Sequence, residues 1–258
     1  MEKKTVLITG STRGIGFALA VEFLKSGHHV IVNGRSEKSL QEAVLKLRNI
    51  SKHVEGVAGS VTEAQTFNNL IEKATNSFKK IDIWINNAGI AQEHELFWEI
   101  SDKGIKQVLD TNIYGLMLGT KYAIHFFKKQ GFGQIFNMQG FGSNGKIMNK
   151  LTLYGTSKRA VNYFNKSISK ELSGFNIKIG TINPGMVRTD FLNTAMNNAS
   201  DDERVRYEKV YRILAEEPDV VAEFLTDRIL NANKKYQQIK YLSGFKLIFK
   251  IVKLMINK

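Results

Sequence analysis

Short apolar runs alternate along this chain with longer stretches in which apolar residues recur every three or four positions. A short apolar run reads as a buried strand, and the three-to-four recurrence reads as a helix packed by one face. The runs predict strands near 4–9, 29–33, 53–58, 82–86, 133–138, 176–182 and 238–242. Helical patterns fall near 15–26, 37–48, 62–79, 103–129, 152–173 and 218–230, that over 103–129 with a candidate break at Asp110-Thr111-Asn112. Such alternation argues for βαβ units. The expected fold class is therefore α/β, a single doubly wound parallel sheet of Rossmann type, about seven strands with helices on both faces. Gly34, Gly59, Gly89, Gly133, Gly142 and Gly185 fall at or near strand ends, where the loops of such sheets build binding sites. Residues 186–217 fit no strand and read as a helical lid inserted after the sixth strand.

Composition bounds the function. With 258 residues, 43% of them hydrophobic, the chain suits one α/β domain, expected over 1–244, followed by a short extension, 245–258. Met1-Glu2-Lys3-Lys4 leads straight into a strand, so no secretory signal is expected, and no run approaches the ~20 apolar residues that span a bilayer. There is no cysteine, which excludes disulfide, thiolate–metal and cysteine-nucleophile chemistry and fits a cytoplasmic protein. His94 reads as an exposed loop residue, and no metal partners are evident. The net charge is +13, but eight basic residues and no acid lie between Arg228 and Lys258, leaving +5 for the first 227 residues. A nucleic-acid partner would call for stacking aromatics or a known motif beside the basic face, and neither is present.

The first candidate chemistry is Thr9-Gly10-Ser11-Thr12-Arg13-Gly14-Ile15-Gly16, between the run Val6-Leu7-Ile8 and a helix. Gly10 permits a sharp turn, while Gly14 and Gly16 let backbone approach a pyrophosphate at the helix start, where free N–H groups and the positive dipole end gather. Alone, the loop fits a plain βα turn equally well. The second is Tyr154-Gly155-Thr156-Ser157-Lys158, with Tyr and Lys on one helical face. A nearby ammonium favours tyrosinate and lowers a pKa from ~10, tuning the phenol to exchange a proton with a carbonyl or alcohol oxygen. This pair alone is also weak, since Tyr236 and Lys240 repeat the spacing in the tail.

Together with Asn86-Asn87-Ala88-Gly89, Asn112 and Asn183-Pro184-Gly185, these motifs resemble the short-chain dehydrogenase/reductase family, in family order across about residues 5–190. The resemblance implies an oxidoreductase with Tyr154 as acid/base. Lys158 would hold the nicotinamide ribose and depress the Tyr154 pKa, and Asn112 would anchor a water in a proton relay. Gly10, Ser11, Arg13, Gly14, Ile15 and Gly16 would cradle the cofactor phosphates. Val61, Asn86, Ala88 and Gly89 would line its adenine and ribose side, and Pro184, Gly185, Val187 and Thr189 would position the nicotinamide. The Thr189 hydroxyl could equally cap a helix.

One position departs from the family pattern. The strand before the Tyr helix ends Asn137-Met138-Gln139-Gly140, so Gly140 stands where the carbonyl-orienting serine is expected. Ser143 could replace it if the glycine-rich loop folds back, Gln139 could donate to a developing oxyanion, or Ser143 could be a plain loop serine. Ile135–Ser143, Leu214-Ala215-Glu216-Glu217-Pro218 and Tyr241–Lys246 look like the chlorophyll b reductase branch, whose active members share the N-M-x-G-x-G-S pattern. That supports Ser143 as the substitute without naming chlorophyll as substrate. The competing reading is a catalytically weak nucleotide-binding sensor or scaffold.

The expected cofactor is NADP(H). Gly34 occupies the place of an NAD-selective acid, Arg35 and Arg13 can reach a 2′-phosphate, and Ser11 and Ser36 add donors. Ser60-Val61 replaces the family's usual Asp-Val at the adenine. Ile90, Leu96, Phe97, Trp98, Phe141, Met148, Met186, Phe191 and Met196 predict a roomy apolar pocket for a small-molecule carbonyl or alcohol. In the extension, Lys246, Lys250 and Lys253 share one helical face. It fits packing on the body or a homodimer or homotetramer interface, with peripheral membrane contact as the alternative.

Overall fold

The computed structural model describes residues 2–190 and 199–242. Six apolar runs become β1 (Thr5–Ile8), β2 (His29–Gly34), β3 (Val54–Ala58), β4 (Ile83–Asn86), β5 (Gly133–Met138) and β6 (Ile177–Asn183). Two-residue strands follow, β7 (Met186–Val187) and β8 (Ala215–Glu216), and then β9 (Tyr236–Lys240). Seven strands form one parallel sheet in the order β3-β2-β1-β4-β5-β6-β9. Strand order reverses between β1 and β4, and the crevice beyond the carboxyl ends there is where such sheets bind ligands.

Side-chain alternation along the strands divides the core in two. Val6, Ile8, Val30 and Val32 join α1 (Gly14–Lys25), α2 (Glu37–Arg48) and α8 (Pro218–Leu230) through Phe23, Leu40 and Leu225. Leu7, Ile31, Trp84 and Ile135 join α3 (Ala64–Phe78), α5 (Leu116–Gln130) and the end of α6 (Thr152–Glu171) through Phe67, Phe127 and Leu172, the residue that follows α6. With both faces covered, strands buried on both sides read as unbroken apolar runs.

Three expectations need correction. The helical pattern over 103–129 does not break. α4 (Asp102–Leu109) passes into α5 through a π-helical stretch, Asp110–Gly115, whose widened turn carries Asn112 inward. The region 186–217 is not strandless: β7 pairs in parallel with β8, and Arg188 N–H donates to Glu216 C=O at 2.9 Å, clipping the two ends of the insertion together. Pairs this short leave no periodic trace in a sequence. The last strand lies two residues earlier than predicted, ending at Lys240, although Tyr241 N–H still donates to Asn183 C=O at 2.9 Å. Tyr241 stands edge-on to Phe224 with ring centroids 5.3 Å apart, and Leu242 lies against Gly185.

Within the insertion, α7 (Asp201–Leu214) starts at a reciprocal cap: Ser200 accepts from Glu203 N–H, and Glu203 accepts from Ser200 N–H. Phe191 and Met196 of the expected pocket and the whole extension 245–258 lie outside the described residues. No helix among the described residues is long and apolar enough to cross a membrane.

Candidate active site

The glycine loop is fixed by backbone and amide contacts. Gly14 has φ +59°, the left-handed region that glycine enters freely. A β-carbon on Gly10 would lie 2.7 Å from Ala88 Cα, and one on Gly16 would collide with the Asn87 side chain. Asn87 Nδ2 donates to Thr9 C=O and Gly10 C=O at 2.9 and 2.8 Å, and Thr9 Oγ1 accepts from the N–H groups of Asn87 and Ala88 at 3.1 Å. Asn87 therefore pins the loop to the end of β4, a role its place in the Asn-Asn-Ala-Gly motif did not disclose. α1 begins after Arg13 with no side chain capping it. Its first N–H groups are thus available to an anion, as a phosphate cradle needs.

Several predicted cofactor residues serve this scaffold. Ser11 is fully buried, its hydroxyl donating to Ile8 C=O at 2.7 Å and accepting from Asn33 N–H at 3.0 Å. Ser36 caps α2 by accepting from Ser39 N–H at 3.3 Å. Asn86 braces the sheet beneath the site, accepting from Trp84 Nε1 at 2.9 Å and donating to Asn137 and Thr120 at 2.7 and 3.2 Å. Val61 is buried against Gly115. The missing acid after β2 also has a steric reason, because a β-carbon on Gly34 would collide with the Thr12 methyl. Arg35 and Arg13 are exposed, and Arg13 Nη1 lies 3.6 Å from Asp190 Oδ2. Thr189 comes over the loop, its methyl 3.4 Å from where a Gly14 β-carbon would stand, and its hydroxyl donates to Val187 C=O at 3.5 Å. Pro184 and Gly185 turn the chain between β6 and β7, Gly185 with φ +76°.

Tyr154, Lys158 and Asn112 are brought together, each less than a tenth exposed. Asn112 accepts from Ile90 N–H at 2.8 Å and donates to Ile90 C=O at 3.0 Å and Ser157 Oγ at 3.3 Å. Lys158 Nζ donates to Met138 C=O at 3.3 Å and lies 5.6 Å from the Tyr154 ring centre. A β-carbon on Gly89 would touch both the Asn112 side chain, at 3.3 Å, and Lys158 Nζ, at 3.6 Å. The expected electrostatics need correction: burial raises the Tyr154 pKa above that of a free phenol and lowers that of Lys158 to about 8. Within the protein's own groups, desolvation outweighs the ammonium's pull on the phenol.

The departure at Gly140 has a geometric consequence. A β-carbon there would collide with the Tyr154 hydroxyl, so the phenol occupies the space that the expected serine side chain would enter. The loop after it does fold back. Gly142 packs on Gly155, and Ser143, 2% exposed, has its C=O bound by Arg159 Nη1 at 3.2 Å and by Asn162 Nδ2. Gln139 is 4% exposed, and its Nε2 has no hydrogen-bond partner among the described residues. This donor stands one residue before Gly140 in the chain and is free to take a partner.

His94, expected in solvent, is 4% exposed and stacks edge-on to Tyr207 at 5.2 Å between ring centres. On the substrate side Trp98 and Phe97 are 78% and 46% exposed. Among the described residues no group of three or more His, Cys, Asp or Glu is placed to hold a metal ion.

The model of the short chain dehydrogenase family matches residues 4–200. Chlorophyll(ide) b reductase NOL, chloroplastic, of Oryza sativa subsp. japonica is 38% identical over 257 residues, covering 95% of this chain and 73% of its own length. The 3-oxoacyl-(acyl-carrier-protein) reductase FabG of Aquifex aeolicus is 33% identical over 196 residues, 74% of this chain and 76% of its own. Among solved structures, the closed form of serine dehydrogenase complexed with NADP+ superposes with a TM-score of 0.78 at 26% identity, covering 91% of this chain and 94% of its own. Actinorhodin polyketide ketoreductase with NADPH gives 0.83 at 23% identity, over 95% and 97%. The pinned glycine loop, the buried Tyr154–Lys158–Asn112 group and the match from residue 4 to residue 200 agree: the chain belongs to the short chain dehydrogenase family, an oxidoreductase family.

Proposed function

We propose that the protein is an NADP(H)-dependent reductase of a carbonyl group on a bulky, largely apolar substrate, with Tyr154 as the acid/base. The observation that carries this reading is the burial of Tyr154, Lys158 and Asn112 side by side at the carboxyl end of the sheet, on the same floor as the glycine loop. The uncapped start of α1 and the left-handed turn at Gly14 fit a dinucleotide pyrophosphate. When bound, the reduced nicotinamide supplies the hydride.

The chain's own residues do the rest. Tyr154 donates its proton to the carbonyl oxygen, or takes one from the alcohol in the reverse direction. Burial keeps the phenol protonated until an oxyanion develops beside it. Lys158 is chiefly ammonium at pH 7 and loses its proton as pH rises past about 8. Its charge stabilises the tyrosinate left after transfer. Gln139 offers an unused amide donor to the same oxygen, and Ser143 secures the loop that carries the site. Trp98 and Phe97 give the rim an apolar face suited to a large ring or chain. The relatives named for chlorophyll(ide) b and 3-oxoacyl groups support the carbonyl class.

Preference for the 2′-phosphate rests on Arg35 beside Gly34, where no acid opposes it. Arg35→Ala should raise the KM for NADPH about tenfold or more, the loss expected for a hydrogen-bonded charge pair, and leave that for NADH unchanged. Steady-state kinetics with both cofactors checks this. Equal effects on the two would remove the assignment of NADP(H).

A further inference from the structure

The docking of α7 onto the loops around Tyr154 goes beyond nucleotide binding. α6 starts after Leu151, whose side chain cannot cap it, so its first N–H groups need an acceptor from elsewhere. Gln92, 3% exposed, provides one: its Oε1 accepts from Tyr154 N–H at 3.0 Å. The same amide's Nε2 donates to Lys150 C=O at 2.9 Å and to Glu95 C=O at 3.3 Å. Lys150 has φ +60°, a left-handed backbone that a long L side chain rarely adopts. Both carboxylate oxygens of Glu203 grip its ammonium, at 3.0 and 3.1 Å. Glu203 also accepts from Ser200 N–H and Oγ–H, at 3.0 and 3.1 Å, and lies 3.3 Å from His94 Nε2. One carboxylate of the insertion thus meets both walls of the site and stands one residue and one amide away from the Tyr154 backbone.

We propose that Glu203 is a positioning residue that couples the seating of α7 to Tyr154 through Lys150 and Gln92. Its consequence for catalysis rests on the reading of Tyr154 as the acid/base; the coupling itself does not. With the carboxylate in place, Lys150 is held in its strained conformation and its C=O faces Gln92. The amide is thereby oriented with its oxygen on Tyr154 N–H. Without the charge, Lys150 relaxes toward ordinary backbone angles, its carbonyl turns away, and Gln92 loses the shorter of the two donor contacts that fix which end faces α6. The Lys150–Glu203 pair is two-pronged and partly sheltered, with side-chain exposures of 22% and 29%, unlike the free surface pairs that contribute little.

Glu203→Gln is the informative variant, because Gln at this position can still complete the cap of α7 while losing the charge. Hydrogen exchange over residues 151–156 should accelerate about tenfold in Glu203→Gln and in Lys150→Met, with β5 unchanged. The double variant should be no worse than the more affected single one, since both break the same chain of contacts. In parallel, kcat for NADPH-driven reduction of an aromatic aldehyde should fall while the Kd for NADPH stays constant. Unchanged exchange at 151–156 with only α7 loosened would reduce Glu203 to a helix anchor and overturn the proposal, as would additive losses in the double variant. Should the Tyr154 reading itself fail, seen as activity surviving Tyr154→Phe, the exchange data still decide the coupling.

Discussion

Tyr154→Phe should lower kcat by about three orders of magnitude, within the 10²–10⁴-fold range typical of a positioned general acid or base, and leave NADPH affinity unchanged. The substitution removes one oxygen from a residue that is 8% exposed and lies against Gly140 and Lys158, so the fold keeps its volume. What disappears is the proton delivered to the carbonyl oxygen. Lys158, whose pKa burial holds near 8, stands behind the ring and carries no hydroxyl to replace the phenol's. Stopped assays of turnover alongside fluorescence titration of NADPH separate the two effects. A kcat within an order of magnitude of the parent would mean that the proton comes from elsewhere.

Gly140→Ser has the next largest effect, and its direction is the opposite of what family resemblance alone implies. Restoring the usual serine should lower activity by about 10²-fold, the cost of displacing a catalytic group by about 1 Å. The reason is spatial. The Tyr154 hydroxyl already occupies the volume into which a Gly140 β-carbon would project, so the added side chain must push the phenol aside. Gly140→Ala should lose nearly as much, because the clash begins at the β-carbon and the hydroxyl adds little to it. A gain of activity in Gly140→Ser, with Gly140→Ala inactive, would show instead that the site lacks only the serine hydroxyl.

The sheet was legible because buried parallel strands leave apolar runs, and six strands of the main sheet appear where those runs fall, while the edge strand Tyr236–Lys240, with one buried residue, lies two residues from its expected place. The glycine loop and the Tyr154–Lys158 pair were legible because their spacing maps directly onto a turn and one helical face. Contacts made across the chain were not. The sequence shows a serine at 11 and another at 36, but only the fold shows that one hydroxyl locks β1 to β2 and the other caps α2. His94 looked like a solvent residue until Tyr207 and Glu203, more than a hundred positions later, closed over it. One clue was present for Gln92. A helix starting after Leu151 has no capping side chain of its own, so a buried polar residue from another segment had to supply the acceptor.

The π-helical turn at Asp110–Gly115 is the same lesson in the backbone. Its pattern reads as a continuous or a broken helix, and only the inward demand of Asn112, bonded to both polar groups of Ile90, selects the widened form. The pKa directions also follow from burial rather than spacing. Four residues apart on one face, Tyr154 and Lys158 would tune each other in water. Buried, each is governed first by loss of solvent.

The most direct test of the central claim is to follow a labelled hydride. With NADPH carrying deuterium at both C4 positions of the nicotinamide and a panel of bulky apolar aldehydes and ketones, the product alcohol should carry deuterium on the former carbonyl carbon, and Tyr154→Phe should slow its formation by about three orders of magnitude. Turnover with no deuterium at that carbon, or labelled alcohol formed equally well by Tyr154→Phe, would contradict the account.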